Sequence, residues 1–257
     1  MTRRIAFEGI DNFRDFGDYV AGHRRLKRGM LYRSAHHATS TDADLDRLAG
    51  MNLALIVDLR RSNERERQPS RRWPGFAAQV IENDIGQDAA DEWLSFIVGS
   101  DLSQASFHAY MLDYYRKAPH QPRHVDLYSR YFRALADTEG AVLVHCTAGK
   151  DRTGIICALT HHLAGVHDDD ITEDYLLTND PVRLANRLPM IREVIRETTG
   201  RIATDEALMT AMRVEAEYLD AAFDVMRQQH GSLDGYLDDV LGLDAGQRER
   251  IHDRLLA

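Results

Sequence analysis

Between residues 141 and 156 the chain reads Ala141-Val-Leu-Val-His-Cys146-Thr-Ala-Gly-Lys150-Asp-Arg152-Thr-Gly154-Ile-Ile, and no other stretch limits the fold as much. A brief apolar run closed by a turn reads as a buried strand, and a strand that feeds directly into an apolar helix belongs to a layered α/β architecture. At such a junction the backbone amides of Thr147, Ala148, Gly149, Lys150, Asp151 and Arg152 can point inward. The positive end of the following helix adds to them, so an anion is favoured there before any side chain is considered. Gly149 and Gly154 are expected to let the backbone close in.

The rest of the chain fits the same class. Met30 to Tyr32, Leu53 to Leu59 and Ala77 to Ile81 read as further buried strands separated by helical patterns. Thr41-Asp42 supplies a start signal for a helix carrying Leu45 and Leu48, and Gly50 stops it. This alternation predicts a mainly parallel sheet with helices on both faces, in a single domain over residues 1–257. After Asp84 the pattern changes to a helical insertion at 85–125, with helices at Asp91 to Val98 and Gln104 to Lys117. Pro119 and Pro122 are expected to end that region before a helix at Asp126 to Ala136. The insertion is either extra cover for the sheet or a lid over the site. Residues 170–257 read as successive helices, punctuated by Gly200, Gly231 and Gly242, and are assigned to packing.

Composition removes several function classes. A net charge of −9 argues against a nucleic-acid partner, which needs clustered cations. The basic residues are 29 arginines and 3 lysines, one of them Lys150 in the loop. Two cysteines, Cys146 and Cys157, exclude a disulfide framework, and neither they nor the twelve histidines show ligand spacing, so no metal and no cofactor is expected. No apolar run approaches the roughly 18 residues of a membrane helix, and Met1 to Gly9 lacks a secretory apolar segment. A cytoplasmic location with no integral membrane segment is the expectation.

The loop's side chains sharpen the anion reading into chemistry. A helix N-terminus and a nearby guanidinium favour the thiolate of Cys146, which makes it a nucleophile. Arg152 can bind two phosphate oxygens through its planar fork, and Thr153 is placed to hydrogen-bond the sulfur as it leaves a phosphocysteine. In a chain so rich in arginine the bare Cys146 to Arg152 spacing is a weak signal. The preceding strand, the glycines and the following helix give it weight. A nucleotide-binding loop would need Ser or Thr after Lys150 and Gly five positions before Gly149; Asp151 and Val144 stand there instead.

This segment resembles the Cys-x5-Arg signature of protein tyrosine phosphatases. Its Gly-Lys-Asp-Arg form is similar to the atypical bacterial branch that includes secreted mycobacterial and listerial tyrosine and phosphoinositide phosphatases. The resemblance extends through Asn12-Phe-Arg-Asp-Phe-Gly17, Gly29-Met-Leu-Tyr-Arg-Ser34, Val57-Asp-Leu-Arg60, Asp174-Tyr-Leu-Leu-Thr-Asn179 and Gly231-Ser-Leu-Asp-Gly-Tyr236. Asp18 departs from it, standing where that family often has a second glycine. The resemblance implies a phosphatase-type α/β fold with a helical lid, metal-independent hydrolysis, a phosphocysteine intermediate and a catalytic part for Asp151.

Two carboxylates compete for the role of general acid: Asp151 in the loop, and Asp84 just beyond the third strand. Asp151 is preferred, although the helix dipole that steadies its carboxylate works against a proton donor. Asp58 and Arg60, at a strand's carboxyl end, are candidates for substrate contact, and Arg60 is equally a candidate for a salt bridge to Asp58 or Glu64. Arg14 and Asp15 suit a structural role, and Cys157 suits core packing. The expected substrate is a phosphorylated protein, read by a tyrosine or dual-specificity phosphatase. Lys150 leaves room for a phosphoinositide or inositol phosphate instead. Rival classes are a non-catalytic phosphate-binding module, sulfur transfer and arsenate reduction. The enzyme reading requires the Cys146 sulfur to be reachable and Arg152 to face it.

Overall fold

In the computed structural model, residues 3–87 and 91–257 are described, so residues 88–90 of the expected insertion lie outside the described part. The strands are β1 (Arg14–Asp15), β2 (Val20–Ala21), β3 (Arg24–Arg25), β4 (Leu31–Ser34), β5 (Leu53–Asp58), β6 (Gln79–Ile81) and β7 (Ala141–His145). β2 and β3 form a small hairpin, and the others form one sheet in the order β1-β4-β7-β5-β6. β7 sits at its centre, parallel to both neighbours, with Ser34 and Asp58 each opposite His145. β6 is also parallel, and β1 is antiparallel at the edge. The strands flanking β7 thus end level with the loop that follows it, where parallel sheets gather their ligand-binding loops.

Alternation along β7 feeds two cores. Val142 and Val144 join Leu31, Leu55 and Val57 in the larger one, and Ala141 and Leu143 join Tyr32, Leu53 and Ile56 in the smaller. The smaller face is covered by α1 (Asp42–Ala49), with Leu45 and Leu48, and by Phe13. The larger is covered by α5 (Pro122–Asp137), α6 (Asp151–Ala164), α7 (Asp168–Leu176) and the C-terminal helices α10 (Ala216–His230), α11 (Leu233–Asp239) and α12 (Ala245–Leu255). Helices on both faces of a mainly parallel sheet are what the strand-helix alternation predicts. Each wholly buried aliphatic side chain contributes roughly 1.5–3 kcal/mol, so burial dominates the fold's stability.

The remaining helices are α2 (Ser62–Arg67), α3 (Glu92–Gly99), α4 (Gln104–Lys117), α8 (Pro181–Thr199) and α9 (Asp205–Met212). A third apolar cluster, away from the sheet, ties α3, α4, α8 and α9 through Ile97, Phe107, Ile195 and Leu208.

Local signals explain most boundaries. Thr41 and Asp44 cap α1 reciprocally, with Asp44 N donating to Thr41 Oγ1 at 3.2 Å and Thr41 N to Asp44 Oδ2 at 3.0 Å. Pro122 corrects the sequence reading: it opens α5 as its first residue, a position where its missing N–H costs nothing. Asp18, where the resembled family often has glycine, holds φ at +59°, a left-handed conformation that aspartate tolerates better than most residues.

Candidate active site

Cys146 leaves the end of β7, and residues 147–150 form the loop that enters α6. The loop's carbonyls are drawn outward. Thr147 O accepts from His36 N at 3.2 Å, Ala148 O from Arg183 Nη2 at 3.2 Å, and Gly149 O from Asn12 Nδ2 at 2.8 Å and Arg33 Nη2 at 3.1 Å. The backbone amides of Thr147 to Arg152 donate no hydrogen bond among the described residues. A run of unpartnered amides in a half-buried loop at a helix N-terminus has the form of a nest that can take an anion. Gly149 makes the bend at φ +62°, where a Cβ would lie 2.4 Å from the carbonyl of Ser34. Gly154 does not close the loop, as its position suggested. It lets α6 approach Tyr175, whose ring would be 2.8 Å from an added Cβ.

A buried ionic frame holds those outward carbonyls. Arg33 Nη1 lies 2.9 Å from Asp174 Oδ2, and Arg14 Nε 3.3 Å from Asp174 Oδ1. Arg14 Nη1 also donates to Asn12 Oδ1 at 2.7 Å, which turns the Asn12 amide toward the loop. Burial opposes ionisation of Asp174, but the two arginines prevail and hold its carboxyl down to about 2. Two guanidiniums against one carboxylate leave a net positive charge behind the loop, which favours an anion in front. Asp15 takes the structural role expected of it, accepting from Gly17 N and Gly29 N at 2.7 Å each.

Arg152 projects from the first turn of α6 and is gripped by Glu64 of α2. Its Nη1 and Nη2 lie 2.5 and 2.8 Å from the two carboxylate oxygens, and Nη2 is 3.2 Å from Thr147 Oγ1. Burial opposes the Glu64 charge; Arg152, Thr147 and the Arg61 amide overcome it and hold the carboxyl far below the usual carboxylate range. This planar fork-to-fork grip fixes the guanidinium at the loop's lip. Sequence reasoning raised Glu64 as a partner for Arg60, not Arg152. Cys146 keeps 2 % of its surface and is not among the residues that line the cavity beside it, which include Thr147, Ala148, Lys150, Asp151 and Arg152. Thr153 is wholly buried, and its hydroxyl has no hydrogen-bond partner among the described residues.

The two candidate acids separate clearly. Asp151 lines the cavity and accepts from Tyr115 Oη at 2.9 Å, and Tyr175 Oη donates in turn to Tyr115 Oη at 2.6 Å. Asp84 is exposed, ion-paired with Arg65 and absent from the cavity lining. Asp58 and Arg60 do not reach the cavity either. Each is 1 % exposed, they pair at 2.7 Å through Arg60 Nη2, which also donates to Ser70 Oγ, and Nη1 donates to Gln68 O. Lys150 is also committed, with Nζ 2.6 Å from Ala211 O and 3.3 Å from Arg213 O; burial lowers its pKa against the pull of Asp151. It therefore ties the loop to α9 instead of presenting a free cation to substrate. Burial pushes the Cys157 thiol up to about 12, as suits a packed core residue.

The cavity holds about 700 Å³. The insertion supplies one wall, with Trp93 from α3 and Tyr110, Met111 and Tyr114 from α4. The C-terminal helices, assigned to packing from the sequence, supply another: Arg183, Arg187 and Ile191 from α8, and Ala211 and Met212 from α9. Arg61, just before α2, and Arg67 at its end complete a cationic rim. No described helix is long and apolar enough to cross a membrane.

Enzymes that take a phosphoryl group onto a cysteine in such a loop form the class of cysteine-dependent phosphatases. Residues 5–257 match the sequence profile of the tyrosine phosphatase family, and the chain belongs to that family. It is 34% identical over 248 residues to a Cupriavidus necator protein carrying the provisional name of tyrosine-protein phosphatase, covering 95% of this chain and 86% of that one. It is 31% identical over 267 residues to the triple specificity protein phosphatase PtpB of Mycobacterium tuberculosis, covering 90% and 92%. A tyrosine-protein phosphatase of Nostoc commune is 35% identical over 150 residues, 57% of this chain and 47% of that one.

Proposed function

We propose that the chain hydrolyses phosphate monoesters of protein, phosphotyrosine foremost, through a phosphocysteine on Cys146. The observation that carries this reading is the run of unpartnered loop amides between Cys146 and Arg152. The substrate's phosphate enters that nest with Arg152 bridging two of its oxygens. The sulfur attacks phosphorus, the ester P–O bond breaks, and Asp151 gives its proton to the leaving oxygen. Asp151, now a carboxylate, takes a proton from water as that water attacks phosphorus; the S–P bond breaks and the buried Thr153 hydroxyl receives the departing sulfur anion. Amides and guanidinium meet the charge that shifts among the phosphoryl oxygens in both steps, which is the larger catalytic contribution.

The aromatic wall of Trp93, Tyr110 and Tyr114 suits the ring of phosphotyrosine. The rim arginines Arg61, Arg67 and Arg187 favour a second reading, a phosphoinositide or inositol phosphate, since each can meet a further phosphate. We place the activity in the cytoplasm, where reducing conditions protect a reactive thiol.

The test is release of p-nitrophenol from its phosphate ester in the presence of chelator. Wild type turns over and Cys146→Ser does not; an inactive wild type makes the chain a phosphate-binding module. On a phenyl phosphate with a poor leaving group, Asp151→Asn loses about a hundredfold in kcat, and Asp84→Asn stays near wild type. The reverse ranking gives the acid's role to Asp84. Comparing phosphopeptides with phosphoinositides by kcat/KM separates the two substrate readings.

A further inference from the structure

Away from the loop, α4 and the start of α10 bring together His108, Glu215 and Glu217, whose ligand-capable atoms all lie within 4.8 Å of one another. His108 Nε2 is 2.5 Å from Glu217 Oε1. We propose that these three side chains bind a divalent transition-metal ion, zinc by their donor chemistry, and that the ion staples α4 to α10.

The donor set argues for zinc over the hard cations. One imidazole nitrogen and two carboxylate oxygens hold zinc at about 2.0–2.2 Å, with water completing a tetrahedron, whereas magnesium and calcium prefer oxygen alone. Small rotamer changes bring ligands up to 4.8 Å apart onto one ion. Without a cation the two carboxylates face each other at a cost. Each offers an oxygen within 4.8 Å of the other, a like-charge contact that an ion between them would relieve.

A neighbouring group gives an independent sign. The Tyr218 hydroxyl, on the residue next to Glu217, is wholly buried and has no hydrogen-bond partner among the described residues. Its ring centroid is 5.6 Å from that of His108, which sets the tyrosine beside the cluster. His108 and Glu217 are 34 % and 51 % exposed, which leaves a path from solvent. The opposing charges that face Glu215 are His108, itself a member of the cluster, and then Arg213, which is exposed and screened. Sequence spacing gave no hint of the cluster, because 109 residues separate His108 from Glu217.

The position matters for the site. His108 lies on the face of α4 that also carries Met111 and Tyr115, and Tyr115 holds Asp151. An ion here braces the helix that orients the proposed acid without touching substrate.

The test uses untagged full-length protein carrying Cys146→Ser, which removes the loop thiol as a competing zinc ligand. Zinc chloride is titrated by calorimetry, and cobalt chloride by visible absorption. One equivalent of zinc should bind, tetrahedral cobalt bands should appear, and Tm should rise with zinc and not with magnesium. Adding His108→Ala or Glu217→Gln should weaken zinc at least tenfold and remove the Tm rise. Should the alanine variant not fold, Glu217→Gln at its half-exposed position decides alone. No saturable zinc binding, or zinc affinity unchanged in these variants, overturns the proposal.

Discussion

The loop's rear rests on Arg14, Arg33 and Asp174, none more than 3 % exposed, whereas the helices facing its front leave Val98 and Met190 more than half exposed. Behind, charges are locked in a frame that water cannot screen, so small displacements cost much. In front, α3 and α8 meet through an apolar cluster of their own, separate from the cores on the sheet. Under the proposed mechanism the contrast assigns tasks: the rear would fix where phosphorus sits, and the front would select what is attached to it.

Asp174→Asn should be the most damaging rear change, since it strands two buried guanidiniums. A loss of about 3–5 kcal/mol in urea unfolding is expected, together with a fall in kcat; a drop below 1 kcal/mol would show that the frame is not what holds the loop. Next comes acid. Burial lowers the pKa of His145, at the end of β7, to about 4, although Asp58 pulls the other way. The unfolded chain therefore takes up a proton that the folded chain refuses, and stability complete above pH 6.5 falls as the pH drops toward 4. The share of His145 is about 3 kcal/mol, and His145→Gln should flatten the unfolding midpoint against pH over that window.

Glu64→Gln probes the lip between the two regions. Freed from its partner, Arg152 should lose its aim, with kcat falling roughly tenfold or more and KM moving less; rescue by Glu64→Asp would separate charge from geometry. The front should give the smallest effect. Trp93→Ala is expected to raise KM for a phosphotyrosine peptide about threefold to tenfold, while kcat for p-nitrophenyl phosphate stays within about twofold. Equal losses on both substrates would erase the distinction between seat and wall.

Local signals made much of this legible. The Cys146 to Arg152 loop, the buried strands and the reciprocal cap of α1 each depend on neighbours in sequence. Glu64 was legible as a charge but not as the partner of Arg152, because α2 reads Ser-Asn-Glu-Arg-Glu-Arg and has no apolar face to place it. Arg183 and Arg187 were hidden for a related reason: in a chain with 29 arginines, two more on a long helix look like solvated surface until tertiary packing turns them toward the cavity. Asp58 and Arg60 were open between substrate contact and a salt bridge, because strand-end position does not reveal which neighbour wins a buried guanidinium; they pair with each other.

The tie between Lys150 and the carbonyl of Ala211 spans 61 residues, which bears on how the protein is made. A ribosome delivers the cradle well before the segment that receives its ammonium. Until that segment emerges, the lysine stays hydrated and the loop wants one of its anchors. A nascent chain arrested short of Arg213 thus carries every residue of the cradle without a finished phosphatase, and a premature stop codon in that interval should yield a product with no stray hydrolase activity.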